Sequence, residues 1–258
     1  MTQPRVVLCM KWGTLYPAVY VNVLYRACRA AITGPFRFVC LTDNDAGLLP
    51  EVEAFPIPDL GLTDFDWKKG GWPKLTVFAA DLYGLTGRAL FIDLDTVICG
   101  GLDEMFTHPG EIAVIDTGPN WRAGRIQVPQ VAGTGIFAFT LGAHPWIVEN
   151  FAARPQHFVQ KYRIEQIYLQ GEFPDLAFWP LPWVASFKYH QRRPVGVGLV
   201  LPPRPPAPAT KVIAFHGEPR PIDLIRPGIW GIAPNVGRGR VGWMVDYWRR
   251  FGGDPERD

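Results

Sequence analysis

The sequence predicts an α/β fold, a parallel sheet flanked by helices. Three observations lead there. Short β-rich apolar runs alternate with stretches whose apolar residues recur at helical spacing. Polar clusters sit where several of those runs end, the strand ends at which open α/β sheets hold their ligands. And 258 residues with 48% hydrophobic content can bury one sizeable core, with no internal repeat and no linker dividing the chain.

In order along the chain, "RVVLCM" (5–10) is a short β-rich run followed by the polar turn "KWGT". "LYPAVYVNVLYRACRAAI" then carries a helical period. "FRFVCLTDN" (36–44) repeats the strand signal and ends on Asp and Asn, and "RALFIDLD" (88–95) gives another strand after the helical stretch "PKLTVFAADLYGL". Beyond residue 100, "EIAVID" and "GTGIFAFT" read as strands, "HPWIVENFAA" and "YRIEQIYLQ" as helices, and "KVIAFHG" (211–217) as a late strand. "LPPRPPAPAT" (201–210) is too rich in proline for a regular element and reads as a surface loop ahead of a lid that orders on ligand.

Composition excludes several classes of function. A formal charge of +2 leaves no electrostatic footprint for nucleic acid as the main partner, so a small molecule or glycan fits better. The cysteines Cys9, Cys28, Cys40 and Cys99 have no paired spacing and read as free thiols of a reducing cytoplasm. No apolar run approaches the ~20 residues that span a bilayer, which leaves a peripheral membrane association open. The 10 Trp and 16 Phe are read mainly as core, with some Trp available to stack on sugars or bases.

The sharpest motif is "FIDLDTVI", in which Asp93 and Asp95 flank Leu94 where an apolar run stops. A hard divalent cation takes oxygen ligands and shares its remaining positions with phosphate oxygens, so a turn at Leu94 is expected to bring both carboxylates onto one ion. The same spelling matches the first motif of haloacid-dehalogenase-type phosphatases, whose first aspartate attacks phosphorus. Those enzymes open their core with that strand and need a later acidic pair on another; here two strand–helix units come first, and "GDPERD" (253–258) follows no apolar strand.

Taken together, the pieces resemble the nucleotide-sugar glycosyltransferases of the GT-A fold, in particular glycosyltransferase family 8, with its galactosyltransferases, glycogenin-like enzymes and bacterial relatives. The similarity runs from Val6 to about Pro221 as ordered motifs. It implies a mixed, mostly parallel Rossmann-like sheet in a single domain, 1–258, with a nucleotide- and metal-binding half to about residue 100 and a sugar and acceptor half beyond it. "CMKWGTLY" stands where such enzymes grip base and ribose, which suggests Lys11, Trp12, Gly13 and Thr14. "LTDN" places Asp43 at the nucleoside, and "GWPKL" places Lys74 at the diphosphate or donor sugar. "AFHGEPRP" is similar to a late motif of the family that would make His216 a third metal ligand beside Asp93 and Asp95, with Gly217 and Arg220 at the phosphates and Leu94 between the two aspartates. The implied cofactor is Mn²⁺ or Mg²⁺, the implied donor a UDP- or GDP-sugar, the implied outcome retention of configuration, and the implied home the cytoplasm, possible acceptors being a glycan, a lipid-linked sugar or a small molecule.

The sugar half departs from the family. "VAGTGIF" puts Gly133 and Thr134 where an Asn before a small residue and Gly is common, "IEQIYL" offers Glu165 and Gln166 but Ile167, and "LPWVASF" has Ser186 in the place of an Asn. Glu165 is the first candidate beside the reacting sugar, as base or as ligand of an acceptor hydroxyl, with Gln166 next to it and Asp116 and Asp175 behind. The run "SFKYHQRR" adds Lys188, His190, Arg192 and Arg193, read as a solvated basic face narrowly ahead of a contact with an anionic acceptor or the diphosphate. A metal-dependent nucleotidyltransferase would need a glycine-rich basic loop after the first strand, of which "KWGTLYPAVY" is a poor version; a catalytically silent nucleotide-sugar binder remains the alternative from another class.

Overall fold

The computed structural model describes residues 4–62, 69–118, 121, 129–194, 196–233 and 236–258. The chain opens with β1 (Arg5–Lys11), α1 (Ala18–Ala31), β2 (Arg37–Thr42) and β3 (Glu53–Phe55), the strand–helix–strand start that the sequence predicts. From Lys69 to Phe78 it runs as a 3₁₀ segment broken at Gly70 and Gly71, and then come β4 (Arg88–Ile92), β5 (Thr96–Ile98), α2 (Asp103–Thr107), β6 (Ala113–Asp116) and β7 (Ala132–Thr140). Three helices follow, α3 (Trp146–Ala153), α4 (Pro155–Tyr162) and α5 (Glu165–Glu172), and after them β8 (Ala177–Phe178), β9 (Val184–Ser186) and β10 (Val212–Ala214). The hairpin of β11 (Ile229–Trp230) with β12 (Gly237–Arg238) and the helix α6 (Gly242–Arg250) complete the chain.

Seven strands form the main sheet in the order β3-β2-β1-β4-β7-β6-β8. β1 pairs parallel with β2 and with β4, β2 parallel with β3, and β6 parallel with β8, while β7 lies antiparallel between β4 and β6. The sheet is therefore mixed and mostly parallel, as the resemblance implies. β1 and β4 are buried on both faces, which is why they read as unbroken apolar runs rather than as alternation. Alternate residues feed two cores: Val7 and Cys9 pack with α1, α6 and the second sheet, whereas Val6, Leu8 and Met10 pack with the 3₁₀ segment and α3 to α5. A small sheet, β5-β10-β9, stands beside the main one, β10 being antiparallel to β5 and parallel to β9.

Two stretches differ from expectation. "PKLTVFAADLYGL" is not an α-helix, because Pro73 lacks the donor that an interior turn needs and the chain after Phe78 closes in short turns. The helical reading of "YRIEQIYLQ" holds only from Glu165 onward, since Arg163 turns the chain at φ 66° between α4 and α5. Residues 201–210 form no helix or strand, as their prolines dictate. The four cysteines are free, three of them buried, and no helix among the described residues is long and apolar enough to cross a membrane.

Candidate functional site

β4 ends at Ile92, and the next three residues carry the chain from the main sheet into the small one. Asp93 N donates to Gly135 O on β7 (2.9 Å), and Phe215 N donates to Asp95 O (3.1 Å), so the crossing is tied to both sheets. Leu94 is 5% exposed and packs into the core beneath. The turn at Leu94 is present, but alignment of the carboxylates does not require it: positions i and i+2 of an extended strand already share a face. What the turn does is anchor Leu94 and hand the chain to β5 with Asp93 and Asp95 left at the opening between the sheets.

That opening is a cleft of about 450 Å³. Lys74, Asp93, Asp95, Gly133, Thr134, Glu165, Gln166, Trp121, Tyr189 and His216 are among its lining residues. A second cleft of about 260 Å³ shares Gly71, Lys74, Asp93 and Asp95 with the first and is otherwise walled by Met10, Trp12, Leu15, Tyr16 and Leu94. The aspartates thus stand where an apolar, aromatic-walled recess meets a larger polar one.

The centre of the site is an ion cluster. Lys74 Nζ lies 2.6 Å from Asp93 Oδ2 and 3.6 Å from Glu165 Oε1. Burial alone would depress the Lys74 ammonium, but Asp93 and Glu165 outweigh it and hold the lysine charged, above its usual range. Glu165, 5% exposed, also accepts from Thr134 Oγ1. Asp95 accepts from Tyr16 Oη (3.1 Å); burial, and then the neighbouring Asp93, push its carboxyl up to about 7. Asp93 is raised as well, by burial, against the pull of Lys74. Gly70 and Gly71 make the cluster possible: both have φ 79°, and a Cβ on Gly71 would sit 2.6 Å from Glu165 Oε2.

On the other wall, His216 Nε2 lies 2.8 Å from Ser186 Oγ, and its ring stacks with Trp121 (4.9 Å, 21°) and with Tyr189 (5.6 Å, 24°). Burial, and then the Lys188 ammonium, lower the imidazole to about 4, so it is neutral near pH 7. Lys188 donates to the His216 carbonyl, and His190 Nδ1 accepts from Ser186 N (2.8 Å). These two members of the basic run are therefore turned onto the site wall, contrary to the reading as a solvated face.

The remaining sequence candidates divide. Trp12 lines the smaller cleft, while Lys11 and Asp43 brace it: Lys11 Nζ donates to Asn44 O (2.9 Å) and Gly13 N to Asp43 Oδ2 (2.9 Å). Thr14, Gly217 and Arg220 line neither cleft, and Arg220 N instead donates to Asp223 Oδ2 (2.7 Å). Asp116 is engaged by Gly118 N (2.9 Å) and Gln130 Nε2 (3.3 Å), and Asp175 is exposed; neither of these second-ranked candidates after Glu165 lines either cleft. Sequence reasoning missed Trp121, Tyr16 and Tyr189. Trp121 is 8% exposed, yet among the described residues its indole N–H has no hydrogen-bond partner. Only the aromatic richness of the chain hinted at such residues.

The three side chains implied as metal ligands line one cleft without converging: among the described residues no three His, Cys, Asp or Glu side chains form a group that could hold an ion. Asp93 is engaged by Lys74, Asp95 by Tyr16 and His216 by Ser186. In kind, however, the donor set suits a hard divalent cation. Three carboxylates face one lysine across the cleft, an excess of negative charge that such a cation balances.

With this geometry the chain can be set beside known proteins. No protein-family model and no curated protein matches it. Solved structures do. The galactosyltransferase LgtC, in complex with donor and acceptor sugar analogues, is 12% identical over 97% of this chain and 98% of its own, with a TM-score of 0.59. The chain has the GT-A fold. The bifunctional glycosyltransferase WbbM (14% identity, TM-score 0.59) is matched over 99% of this chain and half of its own length. The glycosyltransferase GlyE of Streptococcus pneumoniae TIGR4 (13%, 0.59) is matched over 98% of this chain and 62% of its own. At such identities the likeness to these GT-A proteins is one of fold.

Proposed function

We propose that the chain is a glycosyltransferase that moves a sugar from a UDP- or GDP-sugar to a glycan, lipid-linked or small-molecule acceptor. The observation that carries this is the placing of Asp93 and Asp95 at the junction of the two clefts, with Lys74 between them and Glu165. The smaller recess, with Trp12 and Tyr16 on its wall, is shaped for a nucleoside; the larger one has the polar walls that a sugar and its acceptor need. Among the GT-A neighbours LgtC is described in complex with donor and acceptor sugar analogues, which supports a sugar donor and an acceptor as the kinds of ligand.

Each residue then has a task. Asp93, Asp95 and the neutral imidazole of His216 would hold Mn²⁺ or Mg²⁺, which when bound supplies Lewis-acid stabilisation to the diphosphate leaving group. Lys74 adds a fixed positive charge where that group gains negative charge as the glycosidic bond breaks. Glu165 and Gln166 stand on the sugar side; an active-site mutant of LgtC exchanges a glutamine for glutamate, which gives Gln166 added interest. Thr134 orients Glu165 through its hydroxyl. Retention of configuration follows from the family resemblance alone and is read from the anomer of the product.

The test is thermal stabilisation by a panel of nucleoside diphosphates with and without Mn²⁺. A ligand at a hundredfold excess over Kd stabilises the folded chain by about 2.7 kcal/mol. UDP or GDP should stabilise the wild type in a metal-dependent way and lose that effect in Asp93→Ala and Asp95→Ala. Equal stabilisation in those variants would refute the metal assignment, and release of free sugar from the nucleotide sugar separates an active transferase from a silent binder.

A further inference from the structure

Tyr16 stands at the end of the loop that follows β1, and Pro17 behind it opens α1. Its ring walls the smaller cleft beside Trp12, and its hydroxyl donates to Asp95 Oδ2 (3.1 Å), so one side chain reaches from the apolar recess to a carboxylate of the junction. The ring is held from behind. It meets Tyr20, in the first turn of α1, edge-on (5.0 Å, 77°), and Tyr20 meets Trp248 of α6 in the same way (5.2 Å, 80°) while its own hydroxyl accepts from Ile222 N (3.3 Å). Rings packed between two helices therefore aim the phenol of Tyr16.

The two aspartates are held by unlike partners. Lys74 brings Asp93 a positive charge at 2.6 Å, which offsets the carboxylate it touches. Tyr16 brings Asp95 a neutral donor, which fixes one carboxylate oxygen and leaves the negative charge uncancelled. A partner of that kind suits a carboxylate that holds a divalent cation, since it sets the direction of the other oxygen without competing for the charge. The main chain adds to the constraint: the Asp95 carbonyl accepts from Phe215 N (3.1 Å), so backbone and side chain of this residue are both tied.

We infer that Tyr16 is the positioning residue of Asp95: its hydroxyl aims the carboxylate at the divalent cation while its ring faces the nucleoside. The inference rests on the reading of Asp95 as a cation ligand beside the nucleotide, and it adds the one side chain that joins the recess to the cation position. Two consequences separate its two ends. Removing the hydroxyl weakens the hold on the cation and spares the nucleoside, whereas removing the ring weakens both.

The experiment follows the melting temperature of wild type, Tyr16→Phe and Tyr16→Leu in two titrations: Mn²⁺ at a fixed concentration of UDP, or of GDP if it is the better stabiliser, and the nucleotide at saturating Mn²⁺. Phenylalanine keeps the contact with Tyr20, so ligand-free Tyr16→Phe should melt with the wild type. It should need at least about tenfold more Mn²⁺ for half of the metal-dependent stabilisation. At saturating Mn²⁺ its nucleotide affinity should stay within about twofold of wild type, while that of Tyr16→Leu should fall clearly further. Wild type that shows no metal-dependent stabilisation overturns the transferase reading, and this inference with it. If the wild type does show it and Tyr16→Phe needs no more Mn²⁺, the inference alone is overturned. It is overturned as well if ligand-free Tyr16→Phe melts well below the wild type, which would give the hydroxyl to the fold, or if Tyr16→Leu binds the nucleotide as wild type does, which would take the ring away from the nucleoside.

Discussion

Lys74 Nζ stands 3.6 Å from Glu165 Oε1, joining the segment before β4 to the first residue of α5 in the same cluster that holds Asp93. The two carboxylates depend on that lysine. Lys74→Met leaves them facing each other, one of them nearly buried, and should cost about 1–3 kcal/mol of stability by urea unfolding, the lower end if water reaches Asp93. On the transferase reading it should also lower turnover by about 10²–10³. An unchanged unfolding midpoint would show that the cluster contributes nothing to the fold.

Glu165→Gln separates charge from shape. The amide oxygen can still accept from Thr134, so stability should stay within about 0.5–1 kcal/mol of wild type. Transfer should fall at least about tenfold while UDP affinity changes less than about twofold, as fits a group acting on the sugar side rather than on the nucleotide. Equal losses in both would move Glu165 to a structural role.

Gly71→Ala tests why the segment before Lys74 carries two glycines. Its φ of 79° strains any L side chain, and the added methyl meets Glu165 Oε2 at 2.6 Å. Destabilisation of about 1–3 kcal/mol is expected. The double variant with Glu165→Ala should recover the steric part and leave the backbone part, a coupling of about 0.5 kcal/mol or more in a double-mutant cycle. Strict additivity would show that the methyl is accommodated elsewhere.

Much of this architecture was legible because burial on both faces leaves unbroken apolar runs: β1, β2 and β4 declare themselves, and Asp93 and Asp95 mark where β4 stops. The small sheet was only partly readable. β5, β9 and β10 have three residues each, too short for a period to register, although the apolar run before His216 hinted at the last. The antiparallel course of β7 is a matter of pairing partners, which no local pattern encodes. In the site, Lys74 and His216 came from their motifs, but their partners Glu165, Ser186 and Trp121 are brought in by tertiary packing. Asp116 shows the converse: a carboxylate at a strand end looked available, and its own turn occupies it.

Trp72, beside Lys74 in sequence, shows where part of the aromatic surplus goes. It is 1% exposed, stacks on Phe151 (4.7 Å, 6°) and meets Tyr168 edge-on. Trp72→Ala should cost about 3–5 kcal/mol, and Trp72→Phe clearly less, because the phenyl ring keeps most of the stack. If both variants unfold at the same urea concentration, the stack is not what holds the 3₁₀ segment against α3 and α5.

Trp121 offers a sharper test of the sugar side, because its indole N–H is buried at the cleft wall with no partner among the described residues while its ring stacks on His216. An unmet buried donor costs about 1–3 kcal/mol, a cost that a ligand oxygen would remove on binding. Trp121→Phe keeps an aromatic ring against His216 and deletes the donor. The free protein should therefore be no less stable, whereas affinity for a saccharide that uses the donor should drop about tenfold, and affinity for UDP alone should not move. Since Trp121 lines the larger cleft and not the recess walled by Trp12 and Tyr16, a loss that fell on UDP would place the nucleotide on the wrong side of Asp93 and Asp95 and reverse the assignment of the two clefts.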